Sequence, residues 1–157
     1  MGKIIIIMGS KGDMEHCTNI ATVLDKFDVK YEMRIASAHK VPMKVLDIIK
    51  ENENDETVFI TVAGRSNALS GFVDANTTKP VIASPPYSGK FNGADIFSSL
   101  RMPSGVAPVI VLEPEQAALA AVKILALNDS ELQMKIVSYQ EENRKKLEEA
   151  DQEVRNG

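Results

Sequence analysis

The stretch Ile4-Ile5-Ile6-Ile7-Met8-Gly9-Ser10-Lys11-Gly12-Asp13 decides the architecture of this 157-residue chain. Its first five residues are apolar with no polar alternation, and most are β-branched. A strand with water on one face alternates with period two, whereas an unbroken apolar run suits a central parallel strand buried on both faces. The run ends at a polar loop containing two glycines, which leads into the amphipathic segment Met14 to Phe27. Strand, loop and helix in that order open a βαβ unit.

The same alternation continues outward. Lys30 to Ile35 predicts a second strand, followed by Ala36-Ser37-Ala38-His39-Lys40. Pro42 suits the first turn of the next helix, where its missing N–H costs little, and that helix is expected to end near Asn52-Glu53-Asn54-Asp55. Thr57 to Val62 predicts a third strand, running into Ala63-Gly64-Arg65-Ser66-Asn67-Ala68-Leu69-Ser70-Gly71 and a short helix. Pro80 to Ala83 and Val109 to Leu112 predict the fourth and fifth strands, and Glu115 to Leu127 an Ala-rich helix. The expected fold class is α/β: a mostly parallel five-stranded sheet with right-handed crossovers placing helices on both faces. Without repeats, low-complexity tracts or an internal linker, residues 1–157 are expected to form one domain with its core at about 3–127. The connection from Ser84 to Gly105 is rich in Pro, Gly and Ser, with a helical turn expected near Asp95 to Leu100. Connections of that length often serve as lids or subunit contacts.

The last segment, Ser130 to Val154, predicts a long helix that opens with Ser130 and Gln133 spaced as a capping box. Leu132, Ile136, Tyr139, Leu147, Ala150 and Val154 fall on one stripe. Glu141 with Lys145 and Glu142 with Lys146 are spaced to pair. Such a helix exceeds what one small sheet needs, so packing against a neighbouring subunit of a homo-oligomer is its expected use, with an intramolecular brace as the alternative.

Composition narrows the function classes. Hydrophobic residues at 44% and charged residues at 25% are ordinary for a globular chain long enough to bury a core. A formal net charge of -4 gives nucleic acid no electrostatic reason to bind. Cys17 is the single cysteine, which excludes an intrachain disulfide and a multi-cysteine metal site. No apolar run approaches the roughly 18 residues that span a membrane. The N-terminal run is too short for a signal-peptide core. Ile6 stands where a myristoylation motif wants Ser or Thr. The expected compartment is cytoplasmic.

In open parallel sheets, ligands bind beyond the carboxyl ends of the strands, where strand order reverses. Three loops follow the first three strands, each rich in Gly, Ser or charge. Gly9-Ser10-Lys11-Gly12-Asp13 fits neither GxGxxG nor GxxxxGK[ST], so no nucleotide cofactor is indicated. Its glycines permit close backbone approach, and a helix start offers N–H donors to an anion. Ser10 adds a hydroxyl; Asp13 suits sugar hydroxyls or, alternatively, caps the helix. Ser37-Ala38-His39-Lys40 sets an imidazole, able to move protons near neutral pH, beside a cation. His16, within the first helix, reads as ordinary, and Cys17 as a small packing residue. In Gly64-Arg65-Ser66-Asn67 the Arg fork suits a phosphate. Ser66 and Asn67 add hydrogen bonds or cap the helix that follows.

Four blocks carry a resemblance: Met8-Gly9-Ser10-Lys11-Gly12-Asp13, Ser37-Ala38-His39-Lys40, Ala63-Gly64-Arg65-Ser66-Asn67 and Ser98-Ser99-Leu100-Arg101-Met102-Pro103-Ser104-Gly105. In this order and spacing, from about residue 4 to about residue 127, the chain resembles the phosphoribosylaminoimidazole carboxylase family of purine biosynthesis. The resemblance implies a flavodoxin-like three-layer α/β/α sandwich, assembled as a tetramer or octamer, with no biotin, ATP or metal. Class I of the family, the N5-carboxyaminoimidazole ribonucleotide mutases, carries Ser-Ala-His-Arg and Ala-Gly-x-Ala-Ala-His-Leu-Pro-Gly. Lys40 and Asn67-Ala68-Leu69-Ser70-Gly71 depart from both and look like class II, which carboxylates 5-aminoimidazole ribonucleotide (AIR) with carbon dioxide. That implies His39 as the proton shuttle, Lys40 and Ser66 at the carbon dioxide, and Ser10, Ser37 and Arg65 at the phosphate. It also implies Asp13 at the ribose, with Gly9, Ala38, Gly64 and Asn67 completing the substrate contacts; for Lys40 the phosphate is the alternative. The rival expectations are the class I activity and a non-catalytic phosphosugar-binding module. A response-regulator-like domain would need an acidic cluster after the first strand, and only Asp13 is near.

Overall fold

The computed structural model describes residues 2–157. The isoleucine run becomes β1 (Lys3–Met8), with parallel β2 (Lys30–Ile35) on one side and parallel β3 (Thr57–Val62) on the other. β4 (Val81–Ala83) and β5 (Val109–Ile110) extend the sheet in the order β2-β1-β3-β4-β5, all parallel. The chain steps from β1 out to β2, then crosses back to β3. Strand order therefore reverses at β1, as in flavodoxin-like folds.

Period two sorts the strands into two cores. Ile4, Ile6 and Met8 of β1 and Val58, Ile60 and Val62 of β3 pack on α1 (Met14–Lys26) and α5 (Pro114–Leu125). Ile5 and Ile7 with Phe59 pack on the other face, against α2 (Pro42–Asn52) and α3 (Leu69–Asp74). Ile4 to Ile7 are completely buried. Truncating one of them to Ala would cost about 2–5 kcal/mol through lost burial and the cavity left behind. Ala117, Ala118 and Ala121 of α5 let it lie close to α1. Pro42 stands in a first helical turn, as expected; Pro114 does so too, one residue before the expected start of α5 at Glu115.

The edges are managed differently. β2 is exposed along much of its length and carries Lys30, Glu32 and Arg34, charges that discourage edge-to-edge pairing. Arg34 Nη1 donates to Glu32 and to Glu51 of α2, each at 3.0 Å. β5 is shorter than the expected Val109–Leu112, because after one more bond, Val111 N–H to the Ala83 carbonyl, the chain turns toward Pro114. From Ser84 onward the connection holds two short 3-10 turns and α4 (Phe97–Leu100).

The terminal helix α6 (Ser130–Asn156) is present, but two local expectations about it were wrong. Its cap is Asp129, whose carboxylate accepts from Leu132 N–H at 3.0 Å; Ser130 is already helical, and Gln133 donates instead to the Ala126 carbonyl. Along the helix the paired charges are Glu131 with Lys135, Lys145 with Glu149 and Asp151 with Arg155, rather than Glu141 with Lys145 and Glu142 with Lys146. Of the apolar stripe, Leu132 and Ile136 are buried, and Tyr139 meets Phe27 edge-on at 5.4 Å. Every residue from 141 onward is exposed, Leu147 and Val154 included. Among the described residues no helix is long and apolar enough to cross a membrane.

Candidate active site

β1, β2 and β3 end in register, Met8 pairing with Ile35 on one side and Val62 on the other. The three loops leave the sheet at one level, at the reversal of strand order. Between them lies a cleft of about 540 Å³, within the range of small-molecule sites. Gly9, Ser10 and Asp13 line it from the first loop, Ser37, Ala38, His39 and Lys40 from the second, and Gly64, Arg65 and Ser66 from the third. Pro86, Tyr87 and Ser88 add a wall that was not among the expected site residues. The only signal for it was the length and composition of the 84–105 connection.

The first loop is stiffened by its own side chains. Ser10 N–H donates to Asp13 Oδ2 at 3.1 Å, and Gly12 N–H donates to Ser10 Oγ at 3.2 Å, closing a capping box around the turn Lys11–Asp13. The N–H groups of Asp13 and Met14 close onto the carbonyls of Ser10 and Lys11. The helix start, expected to offer several N–H donors to an anion, therefore has most of them engaged. Asp13 makes no side-chain cap to α1, so its carboxylate holds the loop instead. Both of its bonds use Oδ2, leaving Oδ1 for a ligand hydroxyl. The Ser10 hydroxyl reaches that carboxylate only at 3.4 Å, long for an O–H donor, and is free to turn toward a ligand.

In the second loop, Val41 N–H donates to the Ser37 carbonyl at 2.9 Å and Lys40 N–H to Ser37 Oγ at 3.3 Å. This tight turn leaves the side chains of His39 and Lys40 exposed. Among the described residues neither makes a side-chain hydrogen bond or ion pair. Their donors and acceptors are open to a ligand.

The third loop is strained. Arg65 has a left-handed backbone with φ 60°, costing about 1–2 kcal/mol in a residue bearing a Cβ. Its N–H donates to Asp95 Oδ2 at 2.9 Å, and Ser98 Oγ donates to its carbonyl at 3.1 Å. Among the described residues no carboxylate pairs with its guanidinium. Asn67, expected among the ligand donors, does not line the cleft. It is buried, its Nδ2 donating to Ser70 Oγ at 2.8 Å and Ser99 Oγ at 2.9 Å, while its Oδ1 accepts from Ser70 N–H at 3.2 Å. Thr61 Oγ1 extends this network to β3, 2.8 Å from Ser70 Oγ. Asn67 thus braces the loop from beneath.

His16 is not the ordinary helix residue it resembled in the sequence. Its Nε2 lies 2.8 Å from Ser84 Oγ. Burial holds its pKa below the ordinary 6.5, against the pull of Asp13, Glu115 and Glu113. It faces a second hollow of about 310 Å³ that shares Gly64, Pro86, Tyr87 and Ser88 with the cleft. Cys17 is the packing residue it was expected to be: fully buried, with desolvation pushing its thiol up to about 12.

A family model described as AIR carboxylase matches residues 3–146. The phosphoribosylaminoimidazole carboxylase of Archaeoglobus fulgidus is 63% identical over 153 residues, covering 98% of this chain and 85% of that protein. The N5-carboxyaminoimidazole ribonucleotide mutase of Methanocaldococcus jannaschii is 41% identical over 155 residues, 97% of each chain. The crystal structure of Treponema denticola PurE superposes with a TM-score of 0.94 at 48% identity, covering 98% of both chains.

Proposed function

The chain belongs to the AIR carboxylase family, enzymes of purine biosynthesis, and we propose that it carboxylates AIR at C4 with carbon dioxide, reversibly, giving 4-carboxy-5-aminoimidazole ribonucleotide (CAIR). The observation that carries the reading is one cleft holding His39, Lys40, Ser66 and Arg65, the side chains of His39, Lys40 and Arg65 having no partner among the described residues.

The chemistry asks little of a protein beyond placement. C4 of the aminoimidazole is an enamine carbon; its π pair attacks carbon dioxide, forming the C–C bond and a carboxylate. The C4 proton then leaves and the ring regains aromaticity. Holding two reactants in the right geometry can lower a barrier by roughly 7–11 kcal/mol in favourable cases. His39 takes the C4 proton and returns it in the reverse direction. Lys40 and Ser66 orient carbon dioxide and stabilise the nascent carboxylate with donors aimed where charge develops. Arg65 grips the phosphate, with the free hydroxyl hydrogens of Ser10 and Ser37 beside it. Asp13, anchored through Oδ2, offers Oδ1 to the ribose. Gly9, Ala38 and Gly64 line the cleft without bulk, and Asn67 contributes by holding the third loop in shape.

Two features favour direct carboxylation over the mutase reaction. Ser70 N–H donates to Asn67 Oδ1, a bond that the proline of the class I pattern lacks the hydrogen to make. The carboxylase relative is also more similar than the mutase relative, 63% against 41% identical. We also read the chain as one domain and as a subunit of a homo-oligomer, tetramer or octamer, with α6 at the contact. The deciding experiment supplies AIR with bicarbonate in one reaction and N5-carboxyaminoimidazole ribonucleotide in another. CAIR is expected from the first at the higher rate; production only from the second would assign the mutase activity instead.

A further inference from the structure

Among the described residues, three other than glycine have a left-handed backbone, and of these only Arg65 lines the cleft. Glycine would adopt φ 60° freely, so an arginine there gives up conformational ease for its side chain. Such a residue persists only where its surroundings over-determine it. Here both backbone polar groups of Arg65 are taken by one distant turn: the N–H by Asp95 and the carbonyl by Ser98. Ser98 Oγ shares its single hydrogen between the Arg65 carbonyl and the Asp95 carbonyl, 2.8 Å away, and accepts Asn67 N–H at 3.0 Å, so the clamp is itself braced.

We infer that Asp95 and Ser98 are positioning residues for Arg65: they hold its backbone left-handed and thereby aim the guanidinium into the phosphate end of the cleft. This rests on reading Arg65 as the phosphate-binding cation. A relaxed loop with negative φ would swing the Cα–Cβ bond and carry the guanidinium elsewhere. The charge on Asp95 is not what the clamp needs, since an anion beside a phosphate site is unfavourable. What it supplies is a well-placed acceptor, which Asn can also supply.

The test is a mutant cycle read by steady-state CAIR decarboxylation, with thermal unfolding to show that each variant is folded. Arg65→Ala should raise the KM for CAIR by about tenfold or more. Asp95→Ala should raise KM by about tenfold with kcat nearly unchanged, and Asp95→Asn should restore it to within about threefold of the parent. Arg65→Ala with Asp95→Ala should be no worse than Arg65→Ala alone, because the two act as one unit. Ser98→Ala cuts the other bond and carries the same test if Asp95→Ala does not fold. If Arg65→Ala raises KM while both clamp variants leave it unchanged or add to it fully, the positioning role is overturned and the phosphate reading stands. If Arg65→Ala leaves KM unchanged, the phosphate reading itself fails and takes the clamp's purpose with it.

Discussion

His16 Nε2 lies 2.8 Å from the hydroxyl of Ser84, a side chain with no exposure at the carboxyl end of β4. The bond ties α1 to the start of the Pro86–Ser88 wall, and so joins the element after the first loop to the far side of the cleft. Ser84 is held on other sides as well, its N–H donating to the Thr61 carbonyl and its Oγ lying 3.4 Å from the Leu112 carbonyl.

A pH dependence of stability follows from this burial. The folded pKa of His16 is lowered, so the unfolded chain takes up the proton first as pH falls through about 6.5. Below that pH the unfolded state binds more protons, and stability declines until the folded form also protonates. Unfolding midpoints in urea should therefore fall between about pH 7.5 and pH 5.5. His16→Gln, which keeps a donor for Ser84, should flatten the slope. Identical slopes in parent and variant would remove His16 as its source.

The Asn67 network predicts a stability effect where the sequence pointed to ligand binding. Asn67→Ala strands the buried Ser70 N–H and deprives the hydroxyls of Ser70 and Ser99 of a partner. Each buried group left unsatisfied costs about 1–3 kcal/mol, and each kcal/mol lowers Tm by about 2–4 °C in a chain of this size. A calorimetric scan should show the fall. An unchanged Tm with weakened AIR binding would return Asn67 to the ligand.

The contrast between these two residues shows what was legible. Strand period and unbroken apolar runs fixed β1 and β3, because a strand covered on both faces has no other pattern available. The three loops were legible because strand ends set their position. The burial of Asn67 was not legible because an amide in a polar loop looks the same whether it faces water or bridges two buried serines. His16 was passed over because Ser84, its partner, lies 68 residues away and only the fold brings them together. The cap of α6 slipped by one residue because Asp129 and Ser130 are both good caps, and backbone geometry alone chose between them.

His39→Asn should abolish turnover, with a loss of kcat on the order of 10²–10⁴. Among the described residues the ring makes no bond that holds the fold, so binding of AIR by calorimetry should stay within about threefold of the parent. A variant retaining half its activity would place the base elsewhere.

Lys40→Ala separates two roles for that cation. If it orients carbon dioxide, the variant should need more dissolved carbon dioxide for half-maximal rate, while its KM for AIR moves little. If it serves the phosphate, the KM for AIR should rise and the carbon dioxide dependence should not. Rates measured over a bicarbonate series at two AIR concentrations distinguish the outcomes.

The exposed half of α6 argues for a neighbour. Its first ten residues pack through Leu132, Ile136 and Tyr139, and Lys135 Nζ fixes them to Asp28 Oδ2 at 2.9 Å. The remaining 17 residues extend roughly 25 Å at 1.5 Å per residue, bearing Leu147 at 74% and Val154 at 82% exposure. An isolated helix of that length is marginal in water, and apolar side chains on it gain nothing there. Contact with another copy would stabilise both. Light scattering should therefore give a mass several times the 17.2 kDa of one chain. Leu147→Glu with Val154→Glu should shift it toward smaller species while leaving the sheet's circular dichroism unchanged. A parent chain that runs as a monomer at assay concentrations would rule out this use of the helix.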